Sequence, residues 1–166
     1  MIWADLESSL SPSPQFLVQA PDGRKDWTEI ARQATFLRVM GLSAPRVLIF
    51  ANANAGKRNP RQAKREGIRA GVFDIACLWR APVAAYIEFK GYSKAGRAGN
   101  LSDSQIEFGN RLTELGIPCA CFFDPYDAAN WLREQGFPVA EIKSGRGGAS
   151  NTNATLNNKP TGVAHV

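Results

Sequence analysis

The sequence predicts an α/β domain with a mixed central sheet flanked by helices, in the order αβββαβ. Three observations carry that expectation. Two apolar runs, 71–79 and 83–89, are separated only by Arg80-Ala81-Pro82, a hairpin spacing. Capping residues mark helix starts at Asp26, Ser102 and Asp124, and the first two have Glu29 and Gln105 three positions on. A strand–helix–strand–helix order follows the first run of strands, which implies a mixed sheet with helices on both faces.

The elements follow in order. Residues 1–25 include Ser8-Ser9-Leu10-Ser11-Pro12-Ser13-Pro14, which excludes regular helix or central strand, and Pro21-Asp22-Gly23 reads as a turn. This segment is expected to be a loosely attached, partly irregular arm, with Leu6, Phe16, Leu17 and Val18 free to dock. The domain proper spans 26–142. Its first helix is expected to start at the Asp26 cap and to end at Gly41, with Ile30, Ala34 and Leu37 as the inward stripe. Arg46-Val47-Leu48-Ile49-Phe50-Ala51 is a strand by β-branching and apolarity. A polar loop, 52–59, leads to Pro60, which suits the first turn of a short basic helix closed by Gly67. The two hairpin strands come next. Gly91 to Asn100 has the glycine-rich composition of a mobile loop. The helix from Ser102 to about Leu115 turns Phe108, Leu112 and Leu115 inward. Pro118–Phe123 is a strand, and Asp124-Pro125 opens a last helix that Gly136 stops. From residue 143 to 166 the chain has almost nothing to bury and is expected to be disordered.

The second hairpin strand ends in Glu88-Phe89-Lys90. Alternation sends Glu88 and Lys90 to one face and Val83, Ala85, Ile87 and Phe89 to the other. Charged groups at the end of so apolar a strand need a partner. Antiparallel pairing of the two runs brings Asp74 toward Glu88 and Lys90. Two carboxylates and one cation at a sheet end suit a divalent metal, Mg²⁺ or Mn²⁺, which takes oxygen ligands and keeps several waters. Such a metal polarises a phosphodiester and acidifies an attacking water, while the ammonium stabilises developing charge.

Asp74 followed by Glu88-Phe89-Lys90 matches the acid…Glu-x-Lys signature of the PD-(D/E)XK nuclease superfamily. With Asn54-Ala55-Gly56-Lys57-Arg58 and 64–73 before it and Leu101-Ser102-Asp103-Ser104-Gln105 after it, the chain resembles the VRR-NUC (viral-type replication–repair nuclease) branch over about residues 26–137. The resemblance implies a restriction-endonuclease-like αβββαβ core and a Mg²⁺- or Mn²⁺-dependent DNA endonuclease. It also implies the backbone carbonyl of Phe89 as a third metal ligand. Glu29 on the first helix, with Gln33 after it, matches an acid that completes the cluster; its other reading is a plain helix cap. Gln105 matches a Gln that orients water or phosphate, and its other reading is again a cap. Asn54, Lys57 and Arg58 match a substrate-side loop, with a turn as the alternative for Asn54. One departure is Phe73, where the family usually has Pro. Proline is no ligand, so a changed path into the strand is expected rather than lost chemistry.

Charge distribution supports a nucleic-acid partner. The net charge is +5, and Lys57, Arg58, Arg61, Lys64, Arg65 and Arg69 against Glu66 account for all of it. Lys94 and Arg97 add to it in the glycine-rich loop. Such a cluster suits phosphate contacts, or else is a solvated helix face. With 44% hydrophobic and 21% charged residues the chain reads as globular. No apolar run approaches the ~20 residues of a membrane span, and the N-terminus lacks signal-peptide character. Cys77, Cys119 and Cys121 fall in strands, and the one histidine, His165, lies in the tail, which argues against structural zinc and for a reducing cytoplasm. No organic cofactor is implied. The expected function is cleavage of nicked or branched DNA, such as Holliday junctions, in phage or bacterial replication, repair or recombination, by a homodimer. The alternatives are a non-catalytic nucleic-acid-binding module on the same scaffold and a purely structural protein.

Overall fold

The computed structural model describes residues 12–52, 61, 65–80 and 83–142. The strands are β1 (Leu17–Val18), β2 (Leu48–Ala51), β3 (Ile75–Leu78), β4 (Ala84–Phe89) and β5 (Cys119–Phe122). The helices with described bounds are α1 (Glu29–Ser43), α2 (Asp103–Glu114) and α3 (Pro125–Glu134). The strands form one sheet in the order β1-β5-β4-β3-β2. β2, β3 and β4 run antiparallel, whereas β4, β5 and β1 are parallel. The connections dictate this mixture. Trp79 N and Val83 N donate to Val83 O and Arg80 O at 3.0 Å, which closes the β3–β4 hairpin. β4 reaches β5 only through α2, and a helical crossover returns the chain parallel.

Alternation along β4 splits the interior in two. Ala85, Ile87 and Phe89 face α1 and α3, where they meet Phe36, Met40, Ala128, Ala129 and Leu132. Tyr86 faces α2, where Phe73, Phe108, Leu112 and Cys119 form a smaller core. Helices thus cover both faces. Phe73 lies in the α2-side core and Ile75 in the other. Regular alternation would put them together, so the chain turns at Asp74. Phe73 holds this turn through ring contacts with Phe16 at 5.4 Å and Phe108 at 5.6 Å.

Several expectations are corrected. Thr28, not Asp26, caps α1, its hydroxyl accepting from Ala31 N at 3.2 Å. The helix continues through Gly41 to Ser43. An exposed glycine in a helix costs about 1 kcal/mol, too little to end it. The inward row is Arg32, Phe36 and Met40, while Ile30 is 79% and Leu37 37% exposed. Leu115 lies beyond the last turn of α2 as its C-cap and is exposed rather than inward. The glycine-rich stretch forms a tight hairpin: Tyr92 pairs with Ala98, Ser93 N donates to Arg97 O, and Gly96 takes a φ of 71°. Phe16, Leu17 and Val18 dock as expected, but the described part of the N-terminal segment is built into the sheet and not loosely attached. β1 pairs with β5, and the Gln19 amide oxygen accepts from Phe123 N and Asp124 N.

Arg32 explains why that segment docks. It is 0% exposed. Its Nε donates to Trp27 O, its Nη1 to Asp22 and Phe123 O, and its Nη2 to Asp22 and Arg24 O, at 2.6–3.1 Å. Arg24 pairs in turn with Asp22 and with Asp124, whose carboxylate caps α3. Two arginines and two aspartates close this cluster without residual charge.

The expected short basic helix is seen only in part. Arg61 and Arg65 have helical backbone, and Gly67 takes a φ of 73°. Residues 1–11, 53–60, 62–64, 81–82 and 143–166, and with them Leu6, Asn54, Lys57, Arg58, Lys64, Ala81-Pro82 of the expected hairpin link and the expected disordered tail, lie outside the described residues.

Candidate active site

The β3–β4 register pairs Ile75 with Ile87, so one step further Asp74 stands opposite Glu88. Asp74 N donates to Glu88 Oε2 at 3.2 Å, and Phe89 N donates to Asp74 Oδ2 at 2.9 Å. Each strand thus binds the other's carboxylate. Lys90 Nζ donates to Glu88 Oε1 at 2.8 Å and to Gln105 Oε1 at 3.1 Å. The Gln105 amide nitrogen donates to the same Glu88 oxygen. Asp74, Glu88 and Lys90 are 6%, 1% and 8% exposed. The sequence-predicted Asp74, Glu88, Lys90 and Gln105 are therefore one hydrogen-bonded group.

Gln105 fulfils its reading as a cap, and its side chain also reaches the acids. With Ser102 it forms a capping box at the start of α2, and its side chain bridges Glu88 and Lys90. The cap holds α2 against the strand ends, which is why the amide reaches the carboxylate. Two glycines permit the approach. A Cβ on Gly71 would collide with Ser104 O, and one on Gly91 with the backbone of Glu29. The first turns of α2 and α1 therefore rest directly on the chain beside the site.

Glu29 is the first residue of α1, half-buried, and lines an open cleft of about 460 Å³ with Tyr92, Ser93 and Arg97. It acts on Lys90 and Asp74 through its charge. Gln33 is half-buried on the same helix. Arg97 and Lys94 sit on the exposed hairpin, Arg97 on the cleft wall. Arg61, Arg65 and Arg69 are exposed, and the Arg69 guanidinium lies 5.8 Å from the Phe108 ring centre.

The electrostatics set this group apart. Burial, and then the charge of Asp74, push the Glu88 carboxyl up to about 7 in spite of Lys90. Burial works against the Lys90 ammonium, yet Glu88 and Glu29 outweigh it and its pKa is raised. Burial also raises Glu29. Burial and then Glu88 push the Cys121 thiol up to about 12, so it is no nucleophile at neutral pH. Lys90 thus stays charged, and Asp74 repels both Glu88 and Glu29.

Among the described residues no group of three or more His, Cys, Asp or Glu side chains is placed to hold a metal ion. Asp74 and Glu88 form a pair, and Glu29 does not join them as a third ligand. The pair still fits a hard divalent cation. It offers carboxylate oxygen donors, and Mg²⁺ keeps most of its waters when one or two carboxylates bind it. The Asp74 carboxylate also accepts from Phe89 N, which ties it to the strand that carries Glu88.

Sequence reasoning missed Asn52. Its backbone N donates to Asp74 O and its Nδ2 to Phe73 O, both at 2.8 Å, so it fixes the turn that aims Asp74. Its position directly after β2 was the available signal. No helix among the described residues is long and apolar enough to cross a membrane. No family model, curated protein or solved structure matches the chain.

Proposed function

We propose that the protein is a divalent-metal-dependent DNA endonuclease with a restriction-endonuclease-like αβββαβ core, akin to the VRR-NUC nucleases. One observation carries this reading. Glu88 and Lys90 project from the end of one strand, with Asp74 opposite and Gln105 closing the group. Asp74 and Glu88, with the Phe89 carbonyl, would hold Mg²⁺ or Mn²⁺, which supplies Lewis-acid polarisation and an acidified water. The chain's own residues do the rest. Lys90 remains an ammonium, so it orients water and stabilises charge on the phosphate instead of taking a proton. Gln105 holds Lys90 and Glu88 in place. Glu29 accepts a hydrogen bond from water at the cleft mouth. Lys94, Arg97, Arg61, Arg65 and Arg69, with Asn54, Lys57, Arg58 and Lys64, contact phosphates and not base edges. A homodimer would set two such sites on two strands, which suits nicked or branched DNA. Three free, buried cysteines accord with work in the cytoplasm of a bacterial or phage-infected cell.

The near-complete burial of Asp74 and Glu88 favours a second reading, a non-catalytic nucleic-acid-binding module. Labelled duplex, single-stranded, flap and four-way-junction DNA separate the two. Cleavage that needs Mg²⁺ or Mn²⁺, stops with EDTA and is lost in Lys90→Ala is the expected result. Salt-sensitive binding without cleavage under either metal would establish the module instead.

A further inference from the structure

A second cavity, of about 280 Å³, shares Gly99 with the Glu29 cleft, and Lys90 forms part of its wall. Its other walls are apolar: Val18 and Pro21 from the N-terminal segment, Ile106 from α2, and Phe123 after β5. Such walls suit neither a phosphate nor a sugar. The volume lies just below the ~300–1,000 Å³ of sites for drug-sized ligands, so it matches one small ring system and not a length of chain. Two amides reach it. Gln19 is committed to Phe123 N, Asp124 N and Asp127, so it is architecture. The Asn100 side chain is exposed and makes no hydrogen bond among the described residues. It is a donor and acceptor held at the rim of an apolar slot, the chemistry that reads the edge of a base.

We propose that this cavity receives one unpaired nucleobase from the strand whose phosphate lies at Lys90, with Asn100 on its edge. The proposal rests on the nuclease reading and narrows its substrate to DNA with an unpaired nucleotide next to the cleavage point. A base within a duplex must first be unpaired and unstacked, so flaps, gaps and junction branches enter more readily.

The test is binding without metal, using flap DNA in which 2-aminopurine is walked through the nucleotides around the branch. Its emission rises when the base leaves its stack. The expected result is a rise at one position, together with about tenfold weaker binding when that nucleotide is made abasic. Val18→Trp and Ile106→Trp fill the cavity from opposite walls. Val18 lies on an edge strand and is 41% exposed, so the larger ring fits there without disturbing the core. Both variants are expected to abolish the rise, to weaken binding by the same factor, and to add nothing to the loss from the abasic site. No rise at any position, or losses that multiply, overturns the proposal. Mg²⁺-supported cleavage of the same flap is followed in parallel. Cleavage indifferent to the base defeats the cavity alone, and a base effect without cleavage defeats the nuclease reading alone.

Discussion

The protein buries two charged clusters that behave in opposite ways. Around Arg32, two arginines meet two aspartates, and each guanidinium N–H of Arg32 has an acceptor. Burial works against the Asp22 carboxylate, but hydrogen bonds from Arg32 and Arg24 outweigh it and lower its pKa. Around Lys90, one ammonium faces Glu88, Asp74 and Glu29, and burial with Asp74 drives Glu88 up to about 7. The first cluster is complete within the chain. In the second, repulsion between Asp74 and Glu88 persists in spite of Lys90, and a bound cation would relieve it.

Substitution should separate the two. Arg32→Met takes one of its two arginines from Asp22 and strips the Trp27, Phe123 and Arg24 carbonyls of their donor, and a loss of about 3–5 kcal/mol is expected. Chemical denaturation would show it, and an unchanged midpoint would mean the cluster is dispensable. Glu88→Gln should do the reverse. It keeps the shape and removes a repelled charge, so melting at pH 8 should match or exceed the parent. Metal-supported cleavage should fall at least about 100-fold. A Glu88→Gln protein that cleaves normally would remove the site from consideration.

Acidity sharpens the contrast. Glu88 has its pKa raised from 4.5 to about 7, so its contribution to stability is fully present below 4.5 and is lost as pH rises through 7. The change is about 3 kcal/mol at most. Asp22 has a lowered pKa, so its contribution is present above 3.8 and is lost as pH falls through its folded value. Metal-free stability should therefore decline on both sides of mildly acidic pH. Mg²⁺ should restore only the alkaline limb, and Glu88→Gln should flatten that limb. A metal-free melting profile that is flat from pH 5 to 8 would contradict the Glu88 shift. The smallest effect is expected at Asn52. Asn52→Ala removes one hydrogen bond to Phe73 O, worth about 1 kcal/mol. It should weaken metal binding, read by calorimetry, more than it lowers the melting point.

The second cluster was much more legible than the first. Apolar alternation in 83–89 and the short Arg80-Ala81-Pro82 link fix which residues face each other, so Asp74, Glu88 and Lys90 followed from spacing alone. Ser102 and Gln105 announce a helix start, and that start lands on the strand ends. Arg32 was invisible because a charged residue is normally discarded from an inward row. Its burial depends on Asp22, Trp27 and Phe123, which no local pattern connects. β1 is two residues long among prolines, and its pairing is decided by the free edge of β5. Asn52 resembles any amide at the end of a strand. Contacts made along the chain were readable, and those made by distant segments were not.

That distinction has a consequence for how the molecule assembles. The β3–β4 hairpin joins near neighbours, whereas Leu17 must find Ala120 at the far end of the described chain. Pairings of long separation bear the larger closure entropy and form late. During synthesis the acids can come into register while β5 is still unmade. The wall that Val18 and Pro21 build beside Lys90 must wait until β5 has emerged. The chain thus acquires its paired acids first and the wall beside them last.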